Sequence, residues 1–215
     1  VTAPAGETAI RSLEDVQPGD ILLAPMNSAP TKLLVYGGQF LLMEHVRLGP
    51  LAVGHVAICS RPGYVVEAMP SGARQRKIRT SDWAPSHAWV RMPTDYPGQA
   101  GDAARIARLM LGTPYSFASY AALAAWRFGV QTPRLAAWID RRHKPFRVTL
   151  SDNITRDVAL PREAICSVLA DQAWAFTGKQ VMPHGTKPQI VTPGALALRL
   201  WRMRGAVWGG PGLLT

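Results

Sequence analysis

Cys166, His55 and Glu67 are far apart in the chain, yet together they supply each group that thiol catalysis requires. Cys166 lies in Ile165-Cys-Ser-Val-Leu169, which follows the polar stretch 157–163 and reads as the start of an apolar helix. A cysteine in a first helical turn meets unpaired backbone N–H groups and the positive end of the helix dipole, and both favour the thiolate. Those N–H groups also stabilise the oxyanion that forms when the thiolate attacks a carbonyl. A neighbouring imidazole deprotonates the thiol and later protonates the leaving group. A carboxylate behind the imidazole fixes its tautomer and stabilises its charged form.

The imidazole and the carboxylate fall on one predicted hairpin. Its arms are Val53–Ser60 and Tyr64–Met69, rich in β-branched residues and joined by a tight turn on Arg61-Pro62-Gly63. With an odd loop such as Ser60–Pro62, Cys59 faces Gly63 and His55 faces Glu67. Directly opposed residues have Cβ atoms about 5 Å apart, close enough for a carboxylate–imidazole hydrogen bond. A slip of one residue puts the two on opposite faces. Register is the expectation on which the site depends.

Around the hairpin, Gln17-Pro-Gly-Asp20 is a turn signal ahead of a buried strand, Ile21–Ala24. Residues 31–43 have helical spacing broken by Gly37-Gly38. Ala73–Arg79 alternates as a third strand, with Arg74 and Arg76 on one face and Lys77 and Arg79 on the other, a split that argues against a phosphate-binding patch. Ala88–Met92 is a further strand. Helices follow over Gly98–Leu111, Phe117–Phe128, Pro133–Arg142, Cys166–Phe176 and from Thr192 to about Arg204, with a loop containing some extended structure over Lys144–Arg162. Strands first and helices after define an α+β domain, an antiparallel sheet of four to six strands packed on helices. One domain spans 12–205, with a helical insertion over about 116–161 and tails at 1–11 and 206–215.

The formal net charge of +10 suggests an anionic partner: nucleic acid, an anionic membrane surface or cell-wall polymer. A solvated basic surface accounts for it equally well. The basic and aromatic clusters at 141–144 and 199–204 read first as helix ends and solvated faces, and no specific nucleic-acid signal stands out. Two cysteines are too few for a disulfide framework or a structural zinc site. Cys59, about 13 Å along the strand from His55, reads as a small buried residue rather than a second catalytic thiol. His45, His87, His143 and His184 lack metal-ligand spacing, so no metal or cofactor is expected. With no signal peptide and no apolar run of the roughly 18–20 residues a membrane span needs, a soluble protein, cytoplasmic or released, is expected. Oligomeric state is left open.

Taken singly, a cysteine in an apolar helix packs a core, and a histidine in a strand fills a structural role. The succession of motifs adds a further argument. Pro18-Gly-Asp-Ile-Leu22, Gly54-His-Val-Ala-Ile58, Val66-Glu-Ala-Met69, Gly112-Thr-Pro-Tyr115, Ile165-Cys-Ser-Val168 and Thr192-Pro-Gly-Ala-Leu196 together resemble the permuted branch of the NlpC-type, papain-like cysteine hydrolases, related to the lecithin:retinol acyltransferase-like proteins. In that branch the histidine strand precedes the cysteine helix, as here. The resemblance implies a circularly permuted papain-like fold with Cys166 as nucleophile, His55 as base and Glu67 as orienter. It also implies that Tyr115 lines the site and assists the oxyanion. The activity it implies is amide hydrolysis on a peptide or peptidoglycan stem through a thioester. Lipid acyl transfer or thiol-ester hydrolysis, and a non-catalytic binding module, are the alternatives. Two departures bear on substrate rather than chemistry: the long segments 25–53 and 116–161, and Ser116 where the family usually has Asp.

Overall fold

The computed structural model describes residues 10–26, 47–48, 51–116, 146–149, 157–160, 164–183 and 191–211. The expected helices over 31–43, 117–128 and 133–142, the 141–144 cluster, and His45, His143 and His184 lie outside the described residues. The described chain is α+β. Its strands are β1 (Ile21–Ala24), β2 (Arg47–Leu48), β3 (Leu51–Ala52), β4 (His55–Arg61), β5 (Tyr64–Met69), β6 (Gly72–Lys77), β7 (Ala88–Arg91), β8 (Phe146–Thr149), β9 (Asp157–Leu160) and β10 (Val207–Gly209). Its α-helices are α1 (Gln99–Leu109), α2 (Cys166–Ala175) and α3 (Pro193–Arg202).

Six strands form one open antiparallel sheet in the order β10-β7-β1-β4-β5-β6. β2 with β3, and β8 with β9, make separate two-stranded pairs. The buried centre of the sheet is β1, where all four residues are inaccessible. Strands covered on both faces read as continuous apolar runs, and Ile21-Leu-Leu-Ala24 is one. On one face Ile21, Leu23, Val56, Ile58, Val66, Ala68 and Val90 share a core with α1 and α2, which pack on the sheet, while α3 packs on α2. Alanines at 103, 104 and 107 give α1 a thin buried stripe, so that helix lies close against the sheet. On the other face Leu22, Ala57, Cys59, Val65 and Trp89 meet Ile10, Val16, Leu13 and Trp83.

Both ends of the domain differ from expectation. Residues 206–215 were expected as a tail, but Val207–Gly209 pairs with β7 and supplies the edge strand of the main sheet. At the other end Ile10, placed in the leading tail, is fully buried. The two meet: a Cβ on Gly209 would collide with the Ile10 carbonyl oxygen and side chain, so glycine is required at that crossing. Three residues ending in glycine are too short to show strand periodicity, and only the docking partner makes them a strand.

The hairpin also corrects the expected register. Its loop has two residues, Pro62-Gly63, with Arg61 opposite Tyr64 and Gly63 at φ 76°, a left-handed conformation that glycine adopts without a Cβ penalty. The next pair is Cys59 with Val65, so Ser60 is an unpaired bulge residue. Beyond the bulge, Ala57 and not His55 stands opposite Glu67. Had the ladder run on from Arg61–Tyr64 without interruption, Glu67 would face Ile58 on the helix side of the sheet. The extra residue returns Glu67 to the face that carries His55. Ser60 is fully buried and held from three sides. Its hydroxyl donates to the Tyr64 carbonyl (3.3 Å) and accepts from Gln75 Nε2 (2.8 Å), while its own carbonyl accepts from Arg108 of α1.

Candidate active site

His55 opens β4 and pairs with Ala24 of β1. Glu67 is central in β5, one pair further along, and residues on such a diagonal lie about 7–8 Å apart. A glutamate side chain spans that gap: His55 Nε2 and Glu67 Oε2 are 3.0 Å apart, with Glu67 3% and His55 8% exposed. With Nε2 turned to the carboxylate, Nδ1 is the ring nitrogen left for another partner. Cys166 lies within electrostatic range of the ring and shifts its pKa upward. Imidazole and carboxylate therefore meet, with Cys166 in electrostatic range of the ring, although the register that brings Glu67 to His55 is not the expected one.

Cys166 is the first residue of α2, after an extended Ile165 that makes no side-chain cap. The first-turn N–H groups have no partner within a helix, and no acidic side chain occupies this first turn. Two connections fix the helix start. Ala164 is bridged to Tyr115, with Ala164 N–H donating to the Pro114 carbonyl (3.0 Å) and Ser116 N–H donating to the Ala164 carbonyl (3.3 Å). Ser167 Oγ donates to the Val191 carbonyl, just ahead of the Thr192 cap of α3. Tyr115 thus stands beside the residue two positions before Cys166, and it is buried. At the far end of α2, Trp174 Nε1 donates to the Gly19 carbonyl (3.1 Å), tying the helix to the turn that begins β1.

Glu67 has partners that the sequence reading did not assign. Arg74, directly opposite it on β6, donates from Nε and Nη2 to Oε1 at 3.0 and 2.9 Å. Arg76 donates from Nε to Oε2 at 3.0 Å. Arg76 is in turn gripped by Asp82, with Nη1–Oδ2 at 2.6 Å and Nη2–Oδ1 at 3.0 Å. Asp82 sits in the short 3-10 turn Thr80–Trp83 and also accepts the Arg79 N–H (2.8 Å). The alternation had placed Arg74 and Arg76 on one face. Missing was the register that puts this face over Glu67.

The electrostatics follow from these contacts. Burial alone would lower the His55 pKa. Cys166 and the Glu67 carboxylate outweigh it and raise the ring to about 9. Burial likewise pushes Glu67 up, but the imidazolium and the two arginines outweigh it and bring the carboxyl down to about 2. Glu67 is therefore ionised across the working range, and His55 is readily protonated beside it. His87, at the head of β7, is displaced downward by burial, with Asp82, Arg76 and His55 all within electrostatic range. It is a second imidazole near the site, and a lone histidine in the sequence carries no sign of this.

Cys59 has a different environment. It is fully buried, its thiol contacts the Arg61 carbonyl at 3.4 Å, and burial raises its pKa to about 12. Both cysteines are free. Among the described residues no group of three His, Cys, Asp or Glu side chains could hold a metal ion, and no helix is long and apolar enough to cross a membrane. Arg199 and Arg202 fall in the last turn of α3, and Trp201 packs edge-on against Trp208 with ring centroids 5.1 Å apart. No family model, curated protein or solved structure matches this chain.

Proposed function

We propose that the protein is a cysteine hydrolase of the permuted papain-like, NlpC-type class, cleaving an amide bond in a peptide or peptidoglycan stem through a thioester on Cys166. The observation that carries this reading is a buried carboxylate 3.0 Å from an imidazole that also feels the helix-opening thiol of Cys166. In the resting site the thiol proton resides on His55, giving a thiolate–imidazolium pair that Glu67 stabilises. The thiolate attacks the substrate carbonyl carbon, and first-turn N–H groups of α2 receive the developing oxyanion. Collapse of the tetrahedral species breaks the C–N bond, and the imidazolium proton passes to the departing amine. Neutral His55 then takes a proton from water, hydroxide adds to the thioester, and the C–S bond breaks to release the carboxylic acid and restore the thiolate–imidazolium pair.

Tyr115, bridged to Ala164, is assigned to the wall of the same site. In the lipid acyl-transfer alternative, the apolar stretches 33–43 and 118–138 would form a lipid-facing mouth, and both lie outside the described residues. Parallel turnover assays on muropeptides, simple peptides and phospholipids decide between the chemistries. Release of amine from a muropeptide or peptide, abolished in Cys166→Ala, is the expected result. Acyl release confined to phospholipid overturns the amide reading. A Cys166→Ala protein with full turnover removes the nucleophile, and a wild-type thiol titrating in the ordinary range of about 8–9 favours a binding module.

A further inference from the structure

Glu67 is unusually crowded for a carboxylate whose role is to orient one imidazole. Among the described residues, the charged and titratable groups facing Glu67 and His55 are Arg74 and Arg76 from β6, Asp82 from the Thr80–Trp83 turn, His87 at the head of β7, and Cys166 from α2. The two arginines are not equivalent. Arg74 is about half exposed (49%), and both of its contacts go to Glu67 Oε1, the oxygen turned away from His55. Arg76 is 16% exposed and donates to Oε2, the oxygen that also meets His55 Nε2. Its guanidinium cannot swing aside, because both terminal nitrogens are held by Asp82 and one also donates to the Lys77 carbonyl (3.0 Å).

We propose that Arg76, locked by Asp82, is a positioning residue for the Cys166–His55 pair: it fixes Glu67 Oε2 behind the imidazole and supplies the cation that balances the ionised thiol. The inference rests on the thiol-hydrolase reading above. With the thiolate–imidazolium pair formed, Cys166, Glu67 and Asp82 contribute three negative charges, and His55, Arg74 and Arg76 three positive ones. Removing Arg76 leaves this row of charges with a net negative charge. A further negative charge on Cys166 is then harder to place, and thiolate formation moves to higher pH.

The test is the pH dependence of Cys166 alkylation by iodoacetamide, followed by mass spectrometry at that residue in the full chain, for wild type, Arg76→Gln and Arg76→Lys. The wild-type acid limb should lie well below the free-thiol range of about 8–9. Arg76→Gln should raise that limb by about half a unit to one unit, less than the one to three units expected of a charge in direct contact. Arg76→Lys keeps the charge and loses the planar grip on Asp82 and Glu67, so its limb should fall between the two. An unmoved limb in whichever variant keeps native circular dichroism overturns the role of Arg76 and leaves the hydrolase reading standing. An ordinary wild-type thiol titration overturns both.

Discussion

Glu67 stands opposite Ala57 on the hairpin, yet its carboxylate reaches diagonally to lie 3.0 Å from the His55 ring. The shared face depends on Ser60 staying out of the ladder, since pairing it with Val65 would set Glu67 opposite Ile58 on the helix side. Whether Ser60 pairs therefore matters more to the site than residue identity in the Pro62-Gly63 turn.

Deleting Ser60 closes the bulge with Cys59 still opposite Val65 and Glu67 still opposite Ala57, so Cys166 activation should survive. Ser60→Ala keeps the count and loses the hydrogen bonds to Tyr64 and Gln75, so it should retain the activity while costing about 1 kcal/mol of stability. Alkylation rates at pH 6 and urea denaturation of the two variants provide the check. An inactive deletion variant with native stability would mean that this pairing does not bring Glu67 to His55.

Replacing Glu67 by glutamine keeps the shape and removes the charge. Turnover should fall about a thousandfold or more, as in triads that lose their orienting carboxylate. The His55 pKa should drop from about 9, which imidazole NMR titration reads directly. An unchanged titration would place the control of His55 elsewhere.

Stability should respond to pH through the same two groups, in opposite directions. Glu67 is lowered from 4.5 to about 2, so its contribution is complete above 4.5 and lost as pH falls toward 2. His55 is raised from 6.5 to about 9, so its contribution is complete below 6.5 and lost as pH rises through 9. Thermal melts across pH should show both limbs in wild type, a flattened acid limb in Glu67→Gln and a weaker alkaline limb in Cys166→Ala. Parallel curves for all three proteins would contradict this linkage.

Cys59 should stay silent in every thiol assay. Its pKa of about 12 and full burial predict a single labelled peptide, the one containing Cys166, at neutral pH. Cys59→Ala should leave alkylation of Cys166 unchanged. Labelling at both sites would show that the sheet opens under native conditions.

Local pattern made some features legible in the sequence and tertiary contact hid others. Ile21–Ala24 and Tyr64–Met69 occupy the expected positions because an apolar run and a β-branched run, each ended by turn residues, leave little choice. α2 begins at the expected Cys166, and α3 at Pro193 behind its Thr192 cap. The Ser60 bulge was not legible, since Cys59-Ser-Arg61 resembles any strand end and only the contacts from Gln75 and Arg108 select it. Arg74 and Arg76 look like a solvated strand face until Glu67 is placed across from them. Three side chains of the candidate site could be named from the sequence, but the arginines and aspartate around them needed the sheet.

The crossing of Gly209 over Ile10 bears on how the chain folds as it is made. β1 and β7 are paired by residues that emerge early, but the outer edge of β7 stays unpaired until Val207–Gly209 arrives from far downstream. Through most of synthesis the nascent sheet presents a bare hydrogen-bonding edge, the kind of surface on which neighbouring chains pair. β10, only three residues long, acts as a late stopper that ends this exposure.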